Sequence, residues 1–302
     1  MSALVEIIRS EIARTGPIPF RGFMELALYA PGHGYYAGGR AAIGRQGDYV
    51  TSVSVGPLFG RLLAGQFEAI WERLGRPASF TVVEQGANNG DFAHDVLSAG
   101  ASSPAFFEAL RYQIVEPFAV NKERQRERLA PWSGKTSWFH TPEELPRFTG
   151  IHFSNELIDA MPVHALVYRD RVWRERYVAF DEAAQRFVWE EGPFSTPKLG
   201  GNIPFLPAVE GYETEINLEG PAWIATVAQR LERGCVLAAD YGFARRDYYL
   251  PERTRGTLTG YRSQRRSEDL LSDPGEQDLT AHVDFTTLAE AAEHAGLQLA
   301  GV

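Results

Sequence analysis

Cysteine is nearly absent from the 302-residue sequence, which contains only Cys235. A single cysteine excludes an intramolecular disulfide and any zinc site built from cysteines, so nothing in the sequence requires an oxidising compartment. The seven histidines show no metal-binding spacing such as His-Glu-x-x-His. We therefore predict that the protein holds no metal.

Long apolar runs and an excess of basic residues are absent as well. The first twenty residues contain Glu6, Arg9, Glu11 and Arg14, and they lack the apolar core of a signal peptide. The formal net charge of −9 argues against non-specific binding to nucleic acids or to anionic membranes. We expect a cytoplasmic protein with no nucleic-acid partner and no membrane insertion, and the sequence leaves its oligomeric state open.

The most informative feature that is present is the segment 80–92, which has the pattern of a buried strand, a loop and a helix. Four apolar or β-branched residues begin it, as in a strand of a parallel sheet. Gly86 and Gly90 let the backbone of the loop approach a ligand closely, and Asp91 is placed to cap the helix. This pattern predicts a nucleotide-binding turn.

The loop does not match the common phosphate-binding patterns. The dinucleotide fingerprint requires three glycines, whereas the corresponding positions here are Gly86, Asn88 and Asp91. No Lys-Ser/Thr pair follows the loop, and the charge of Glu84 at the end of the strand would repel a phosphate. A cationic nucleoside fits better, and S-adenosylmethionine is such a ligand.

A second acidic residue supports a ribose-containing ligand. Glu116 ends the next apolar run and lies twenty-six residues after Gly90, the expected spacing for one βαβ unit. A carboxylate at this position accepts hydrogen bonds from both ribose hydroxyls, although NAD enzymes use the same arrangement. The alternative interpretation of Glu116 is a solvated acid at the end of a strand.

With 302 residues, of which 44% are hydrophobic, the chain can bury one large α/β domain with an elaboration. The strand–loop–helix pattern that begins at Phe80 predicts that this α/β domain is Rossmann-like. We assign 1–78 to an N-terminal helical and glycine-rich cap segment and 79–302 to the Rossmann-like domain, which has helices on both faces. An insertion at about 165–220 contains a predicted β-hairpin formed by 172–180 and 186–189. A helix over 221–233, stopped by Gly234, precedes another buried strand.

Several blocks of the sequence resemble a known family. They are GYY at 34–36, IG at 43–44, GDYVTS at 47–52, LFG at 58–60, NELIDAMPVH at 155–164, DYG at 240–242, GTL at 256–258 and PGEQDLTAHVDF at 274–285. Their order and number make the chain similar to the S-adenosylmethionine-dependent methyltransferases that include the mitochondrial complex I assembly arginine methyltransferase and its bacterial homologues. The resemblance spans nearly the whole chain.

The resemblance implies a class I methyltransferase sheet, S-adenosylmethionine as cofactor and a protein arginine acceptor, with a respiratory-complex subunit as the substrate protein. It places Asp48, Thr51 and Ser52 in a loop over the cofactor. Asn88 replaces the family's middle glycine, and the segment 53–56 departs from the family's Pro-Glu-Ile-Ser. Asparagine tolerates a left-handed backbone, so the first replacement preserves the loop.

Methyl transfer from a sulfonium is an in-line displacement, and orientation of the acceptor is the main contribution of the protein. Glu156 and Asp159 would lie on one face if their segment begins a helix, where two carboxylates could clamp a guanidinium and accept its proton. The alternative is that Asn155 and Asp159 only cap a turn before Pro162.

The remaining predicted site residues are assigned by position. We predict that Glu84, Gly86, Asn88, Gly90, Glu116 and Asn155 contact the cofactor together with Asp48, Thr51 and Ser52, and that Asp240, Tyr241 and His164 contact the acceptor. Three other functions stay open: a small-molecule methyltransferase, a non-catalytic cofactor-binding assembly factor and, more remotely, an NAD oxidoreductase.

Overall fold

The computed structural model describes residues 2–39, 56–262 and 265–301. The chain forms two compact units that alternate along the sequence. Unit 1 comprises Met1–Ala42, Ile158–Ala222 and Tyr241–Glu290, and unit 2 comprises Ile43–Leu157, Trp223–Asp240 and Ala291–Val302. No helix among the described residues is long and apolar enough to cross a membrane.

The helices and strands of the described residues are numbered in chain order. Helices α1 to α9 are Ala3–Thr15, Phe20–Tyr29, Leu58–Arg73, Asp91–Gly100, Pro104–Ala109, Ala119–Arg128, Glu219–Arg230, Arg245–Tyr248 and Phe285–His294. Short 3-10 helices occupy Ala130–Trp132, Pro142–Glu144 and Pro197–Phe205. Strands β1 to β15 are Ile18–Pro19, Phe80–Gln85, Leu110–Val115, Thr136–Phe139, Phe148–Asn155, His164–Arg169, Val172–Asp181, Arg186–Gly192, Glu213–Ile216, Leu231–Ala239, Gly242–Phe243, Thr259–Arg262, Arg265–Ser267, Asp278–Thr280 and Val283–Asp284.

Unit 2 is built around a parallel sheet with the strand order β10-β5-β2-β3-β4. From β2 the chain adds β3 and β4 on one side, and it later adds β5 and β10 on the other. The order therefore reverses between β2 and β5, and ligands of open α/β sheets bind outside the carboxyl ends of the strands at such a point. The predicted parallel sheet is confirmed.

Apolar residues cover both faces of this sheet, because successive side chains of a strand point to opposite faces. Phe153 of β5 stacks on Phe92 of α4 with ring centroids 4.3 Å apart, within a core that also includes Phe67 of α3. His152, the preceding residue of β5, faces the other way and contacts the ring of Trp223 in α7. Helices thus cover both faces of the sheet, as the sequence predicts.

Unit 1 contains an antiparallel sheet in which β1, β7, β6 and β9 are successive neighbours and β8 pairs with β7. Strands β7 and β8 form the predicted hairpin, in register from Glu175 opposite Gly192 to Asp181 opposite Arg186. The N-terminal helices belong to the same unit. Phe20 and Phe23 of α2 pack on aromatic residues of β8 with ring centroids 5.0 and 5.5 Å apart.

One predicted boundary is wrong. The helix expected over 221–233 ends at Arg230, and β10 begins at Leu231, which pairs with Phe148 of β5. Pairing with the neighbouring strand therefore outweighs the helical pattern of the last three residues. The predicted boundary between a cap segment and a methyltransferase domain at 78/79 stays a prediction.

Candidate functional site

The loop that follows β2 has a left-handed backbone at three positions. Gly86 and Gly90 both have φ of 81°, and Asn88 has φ of 44°. The turn closes through a hydrogen bond of 2.7 Å from the Gly90 N–H to the Ala87 carbonyl. Glycine adopts such angles without steric cost and asparagine does so more readily than most residues, so the sequence is compatible with this loop.

Helix α4 begins directly after the loop, at Asp91. Gly90 is its N-cap residue, and no side chain caps the helix. The predicted capping role of Asp91 is therefore wrong, because this residue already lies in the first helical turn, where its carboxylate accepts a hydrogen bond of 2.7 Å from the Arg128 guanidinium. A negative charge in the first turn is favourable to the helix dipole.

Glu84 lies inside the sheet beneath the loop and accepts a hydrogen bond of 2.6 Å from the Tyr112 hydroxyl. Burial raises the pKa of Glu84 to about 8, and the charge of Asp91 adds to this effect while the Tyr112 hydrogen bond opposes it. At pH 7 the carboxyl is mostly protonated. The expectation that its charge repels a phosphate is therefore wrong, and only the missing glycine and lysine disfavour phosphate binding.

Glu116 follows the carboxyl end of β3, beside the loop, because β3 and β2 are paired up to Val115 and Gln85. One carboxylate oxygen accepts a hydrogen bond of 2.9 Å from the Phe118 N–H, and the other accepts one of 2.8 Å from the Gln125 amide. Burial raises the pKa of Glu116, and these hydrogen bonds oppose the effect. The side chain is thus held in one orientation.

The segment after β5 does not form the helix that would place Glu156 and Asp159 on one face. Glu156 has φ of 49° and donates its N–H to the Ala239 carbonyl at 2.8 Å, and the chain then continues through bends and turns to Pro162. Proline disfavours a helical conformation of the residue before it. The segment therefore does not place Glu156 and Asp159 on one helical face, and their catalytic roles stay a prediction.

Glu156 and Asp159 also belong to different units. In unit 2, burial raises the pKa of Glu156, its hydrogen bond with Asn155 opposes the shift and the charge of Asp240 adds to it. Asn155 is the last residue of β5, and Asp240 directly follows β10. These three residues therefore influence one another at the carboxyl ends of two neighbouring parallel strands.

Asp159 belongs to a group of acidic and tyrosine side chains in unit 1. We name this group the Asp159 cluster, and its members are Tyr29, Tyr36, Asp159, Tyr241 and Asp278. The Tyr241 hydroxyl donates a short hydrogen bond to the Asp159 carboxylate, and the Tyr36 hydroxyl donates one of 2.7 Å to Asp278. Tyr29 stacks on Tyr36 with ring centroids 5.5 Å apart.

Both aspartates of the Asp159 cluster are buried, with 4% and 3% of their surfaces exposed. Burial and the charges of Asp278 and Asp159 raise the pKa of the Tyr29 hydroxyl, and burial and Asp159 raise that of Tyr241. These tyrosines therefore stay protonated and act as hydrogen-bond donors at neutral pH.

His164 begins β6 in unit 1 and lies in a buried polar network. Its Nδ1 is 2.7 Å from a carboxylate oxygen of Glu175, which also accepts hydrogen bonds from the Ser195 N–H and hydroxyl at 2.6 and 3.0 Å. Glu175 is fully buried. His164 is therefore connected through Glu175 to Ser195.

Similar proteins identify the family to which the chain belongs. A family model of S-adenosyl-L-methionine-dependent methyltransferases matches residues 62–302. The chain belongs to this family. A relative from Drosophila melanogaster named as a mitochondrial protein arginine methyltransferase NDUFAF7 homolog is 30% identical, over 97% of this chain and 71% of its own length. The mouse NDUFAF7 protein is 29% identical, over 94% and 68%.

Solved bacterial structures extend the comparison to the fold. A crystal structure from Burkholderia thailandensis bound to S-adenosyl-homocysteine is similar to this methyltransferase with a TM-score of 0.89 and 36% identity, covering 97% of this chain and 76% of that one. A native structure from the same organism has a TM-score of 0.85 and 35% identity, with coverage of 97% and 75%. The family, the Rossmann-like fold and S-adenosylmethionine as cofactor are thereby confirmed.

The residues of unit 2 fit this cofactor chemically. The Glu116 carboxylate has hydrogen bonds with the Phe118 N–H, the Gln125 amide and the Asn121 side chain. Its two oxygens offer about four lone-pair sites, so the carboxylate retains capacity to accept a hydrogen bond from the ribose. The left-handed conformation of Gly86, Asn88 and Gly90 keeps the backbone of this loop near the carboxyl ends of β2 and β3. When bound, S-adenosylmethionine supplies an electrophilic methyl group on a cationic sulfur.

Other predicted site residues are not tested by the structure. Asp48, Thr51 and Ser52 lie outside the described residues. Within 2–39, 56–262 and 265–301, no group of three or more His, Cys, Asp and Glu side chains is arranged to hold a metal ion.

Sequence reasoning missed two residues that the structure connects to the site. Gln125 is fully buried against Glu116 although it lies in a run of charged residues, Lys122 to Arg128, that reads as a solvated helix face. Asp278 joins the Asp159 cluster through its hydrogen bond with Tyr36, which lies 242 residues earlier in the sequence. Its position inside a family block was the only signal available.

Proposed function

We propose that this methyltransferase transfers its methyl group to arginine side chains of a protein. The relatives from fly and mouse are named protein arginine methyltransferases, which supports this acceptor. The observation that carries the proposal is the Asp159 cluster, in which buried carboxylates lie among tyrosine rings and hydroxyls. Arginine fits such a site, because its guanidinium group can form paired hydrogen bonds with a carboxylate and can also stack on aromatic faces.

In this proposal Asp159 orients the guanidinium and accepts a proton from it. The attacking nitrogen forms a bond to the methyl carbon as the carbon–sulfur bond breaks, and the nitrogen then carries a proton in excess. Asp159 takes this proton on a carboxylate whose orientation is fixed by the Tyr241 hydroxyl. Positioned acid–base groups typically contribute 10²–10⁴-fold to a rate.

Glu156 is the second proposed catalytic residue. Burial and the charge of Asp240 raise the pKa of Glu156. A cationic partner therefore stabilises the ionised form of this carboxylate more than it would stabilise that of an exposed one. We propose that Glu156 contributes to guanidinium binding and that Asp240, Tyr241 and His164 contribute to acceptor recognition.

We further propose that Gly86, Asn88, Gly90, Glu116 and Asn155 contact S-adenosylmethionine in unit 2. Glu116 accepts the ribose hydroxyls, and Glu84 acts from below by supporting the loop through its hydrogen bond with Tyr112. Asp48, Thr51 and Ser52 keep the cofactor role implied by the family resemblance, and a cytoplasmic location stays a prediction from composition.

The proposed acceptor is tested by methylation of extracts. Extract from a strain lacking the gene is incubated with the purified protein and S-adenosylmethionine carrying an isotopically labelled methyl group, and proteins and metabolites are then examined by mass spectrometry. We expect labelled methylarginine on a protein, with a respiratory-complex subunit as the first candidate, and no label with Asp159→Asn.

Two results would contradict the proposal. Label found only on small molecules would assign a metabolite acceptor. Binding of S-adenosyl-homocysteine with no transfer to any acceptor would assign a non-catalytic role.

A further inference from the structure

We propose that Gln125 is a positioning residue of the cofactor site, which holds the glycine loop and the ribose-binding carboxylate in one fixed arrangement. The inference rests on the ribose role proposed for Glu116. Gln125 lies in α6, outside every block that the family resemblance identifies. It does not touch the cofactor in this proposal and acts through Glu116 and the backbone of Asn88.

The amide of Gln125 connects three parts of unit 2. Its Nε2 donates one hydrogen bond of 2.8 Å to the Glu116 carboxylate and another of 2.9 Å to the Asn88 carbonyl. Its Oε1 accepts a hydrogen bond of 3.0 Å from the indole N–H of Trp138 in β4. The loop after β2, the end of β3 and strand β4 are therefore joined through one side chain.

The pattern of donors and acceptors allows only one orientation of this amide. If the amide were rotated by 180°, its oxygen would face the Glu116 carboxylate and the Asn88 carbonyl, which are both acceptors. Its nitrogen would then face the Trp138 N–H, which is a donor. All three hydrogen bonds would be lost, and water could not replace them because Gln125 is fully buried. The surrounding groups therefore fix the orientation of the amide.

Glutamine is also the side chain that best meets these demands. Glutamate at this position would place a second carboxylate against Glu116, and lysine would offer no acceptor to Trp138. The side chain lies directly under the loop, since a Cβ on Gly90 would lie 3.5 Å from the Cα and Cγ atoms of Gln125. The otherwise polar helix α6 thus contributes a fully buried residue at the cofactor loop.

This arrangement prepares Glu116 for its ligand. A carboxylate held before binding loses little conformational entropy when it accepts the ribose hydroxyls, and preorganisation of this kind increases affinity and selectivity. The inference therefore predicts that loss of the Gln125 amide reduces recognition of the ribose hydroxyls, and not only the stability of the protein.

The test compares the affinities of S-adenosyl-homocysteine and of its 2′-deoxyribose analogue by isothermal titration calorimetry. We expect the wild-type protein to favour the ribose form at least about 10-fold, the value of one hydrogen bond to a charged group. Gln125→Met keeps the length of the side chain and removes its hydrogen bonds, and we expect the preference to fall below about 3-fold. Gln113→Met, the same change in the neighbouring strand β3, is the matched control and should keep the preference.

The variant Glu116→Gln separates the two proposals. If Glu116→Gln keeps the full ribose preference, the proposed role of Glu116 is wrong and the inference about Gln125 falls with it. If Glu116→Gln loses the preference and Gln125→Met keeps it, only the inference is wrong. If both lose it, the double variant should lose no more than either single variant, because the two residues act as one unit.

A second variant covers the case in which Gln125→Met does not fold. Gln125→Glu keeps an acceptor for Trp138 and shares a proton with Glu116 when the pH is low, so one donor is restored. We expect its ribose preference to rise as the pH falls from about 8 to about 5.5, relative to the wild-type protein. A preference that is reduced equally at both pH values, or not reduced at all, would overturn the inference.

Discussion

The two units of this methyltransferase build their polar sites in different ways. In unit 2 the groups proposed to bind the cofactor lie on consecutive strand–helix connections, since Gly86 and Gly90 follow β2 and Glu116 follows β3. In unit 1 the Asp159 cluster combines side chains from four distant parts of the chain. The first site is a property of one local motif, whereas the second exists only after long-range folding.

The two units are therefore expected to be sensitive to different kinds of substitution. In unit 2 the groups proposed to bind the cofactor are the loop backbone and a few oriented side chains, and a parallel sheet supports them. In unit 1 the proposed chemistry depends on individual carboxylates, which are buried among tyrosines. Variants in unit 2 should therefore change affinity for the cofactor, and variants in the Asp159 cluster should change the rate of methyl transfer.

The largest effect is expected for Asp159→Asn. The amide keeps the shape of the side chain and accepts the Tyr241 hydrogen bond, but it cannot take a proton from the acceptor. We expect kcat to fall by about 10²–10⁴-fold with the affinity for S-adenosyl-homocysteine unchanged. Asp278→Asn is the matched control in the same cluster and should retain more than a tenth of the activity. Equal losses in both variants would show that the cluster is structural.

The next effect concerns the stability of unit 2. The buried Glu84 keeps its proton up to about pH 8 in the folded protein, whereas the unfolded chain releases it near its ordinary pKa of 4.5. The folded state therefore binds more protons between these values, and stability falls as the pH rises through this window.

Glu84→Gln carries no titrating group and should remove this pH dependence. Between pH 5 and pH 8.5 the wild-type protein should lose on the order of 2–4 kcal/mol more of its free energy of unfolding than the variant. Urea unfolding at the two pH values measures the difference. Parallel pH profiles of the two proteins would contradict the buried, protonated state of Glu84.

A smaller effect is expected for Glu116→Gln. Loss of the charge weakens hydrogen bonds worth about 1.5–3 kcal/mol, so the dissociation constant for S-adenosyl-homocysteine should rise by about 10–100-fold. Because Glu116 belongs to unit 2, kcat at saturating cofactor should stay within about 3-fold of the wild-type value. A large fall in kcat at saturation would mean that the two sites are not separable in function.

The smallest effect is expected for Asn88→Gly, which restores the glycine usual in the family. Asn88 already has a left-handed backbone, so the loop should keep its shape and cofactor affinity should change by less than about 3-fold. Asn88→Val is the matched comparison. A β-branched residue is strained at this angle, and we expect it to weaken binding by about 10-fold. Equal affinities of the glycine and valine variants would show that the loop angle is unimportant.

The sequence predicts unit 2 better than unit 1 for a physical reason. A strand, a glycine turn and a helix follow from neighbouring residues, and the parallel sheet, the cofactor and the family are confirmed. The hairpin of unit 1 is also local and is confirmed. By contrast, the pairing of Tyr36 with Asp278 depends on contacts that no local pattern encodes.

Tertiary context decided two details that local patterns do not reveal. The run 122–128 forms a mostly exposed helix, as its composition indicates. The charged run around Gln125 has the composition of a solvated helix, yet the loop and Glu116 bury one neutral residue within it. Glu84 was expected to be ionised, but the surrounding sheet favours its protonated form. Burial of individual polar side chains is set by packing, which sequence spacing does not reveal.

Recognition of the ribose of S-adenosylmethionine by Glu116 of unit 2 underlies the proposed cofactor site. A crystal structure of this protein with S-adenosyl-homocysteine tests it most directly. We expect both ribose hydroxyls within about 2.5–3.0 Å of the Glu116 carboxylate oxygens, with Gln125 still hydrogen-bonded to the same side chain. A ribose that lies away from Glu116, or a Glu116 side chain turned out of the site, would contradict it.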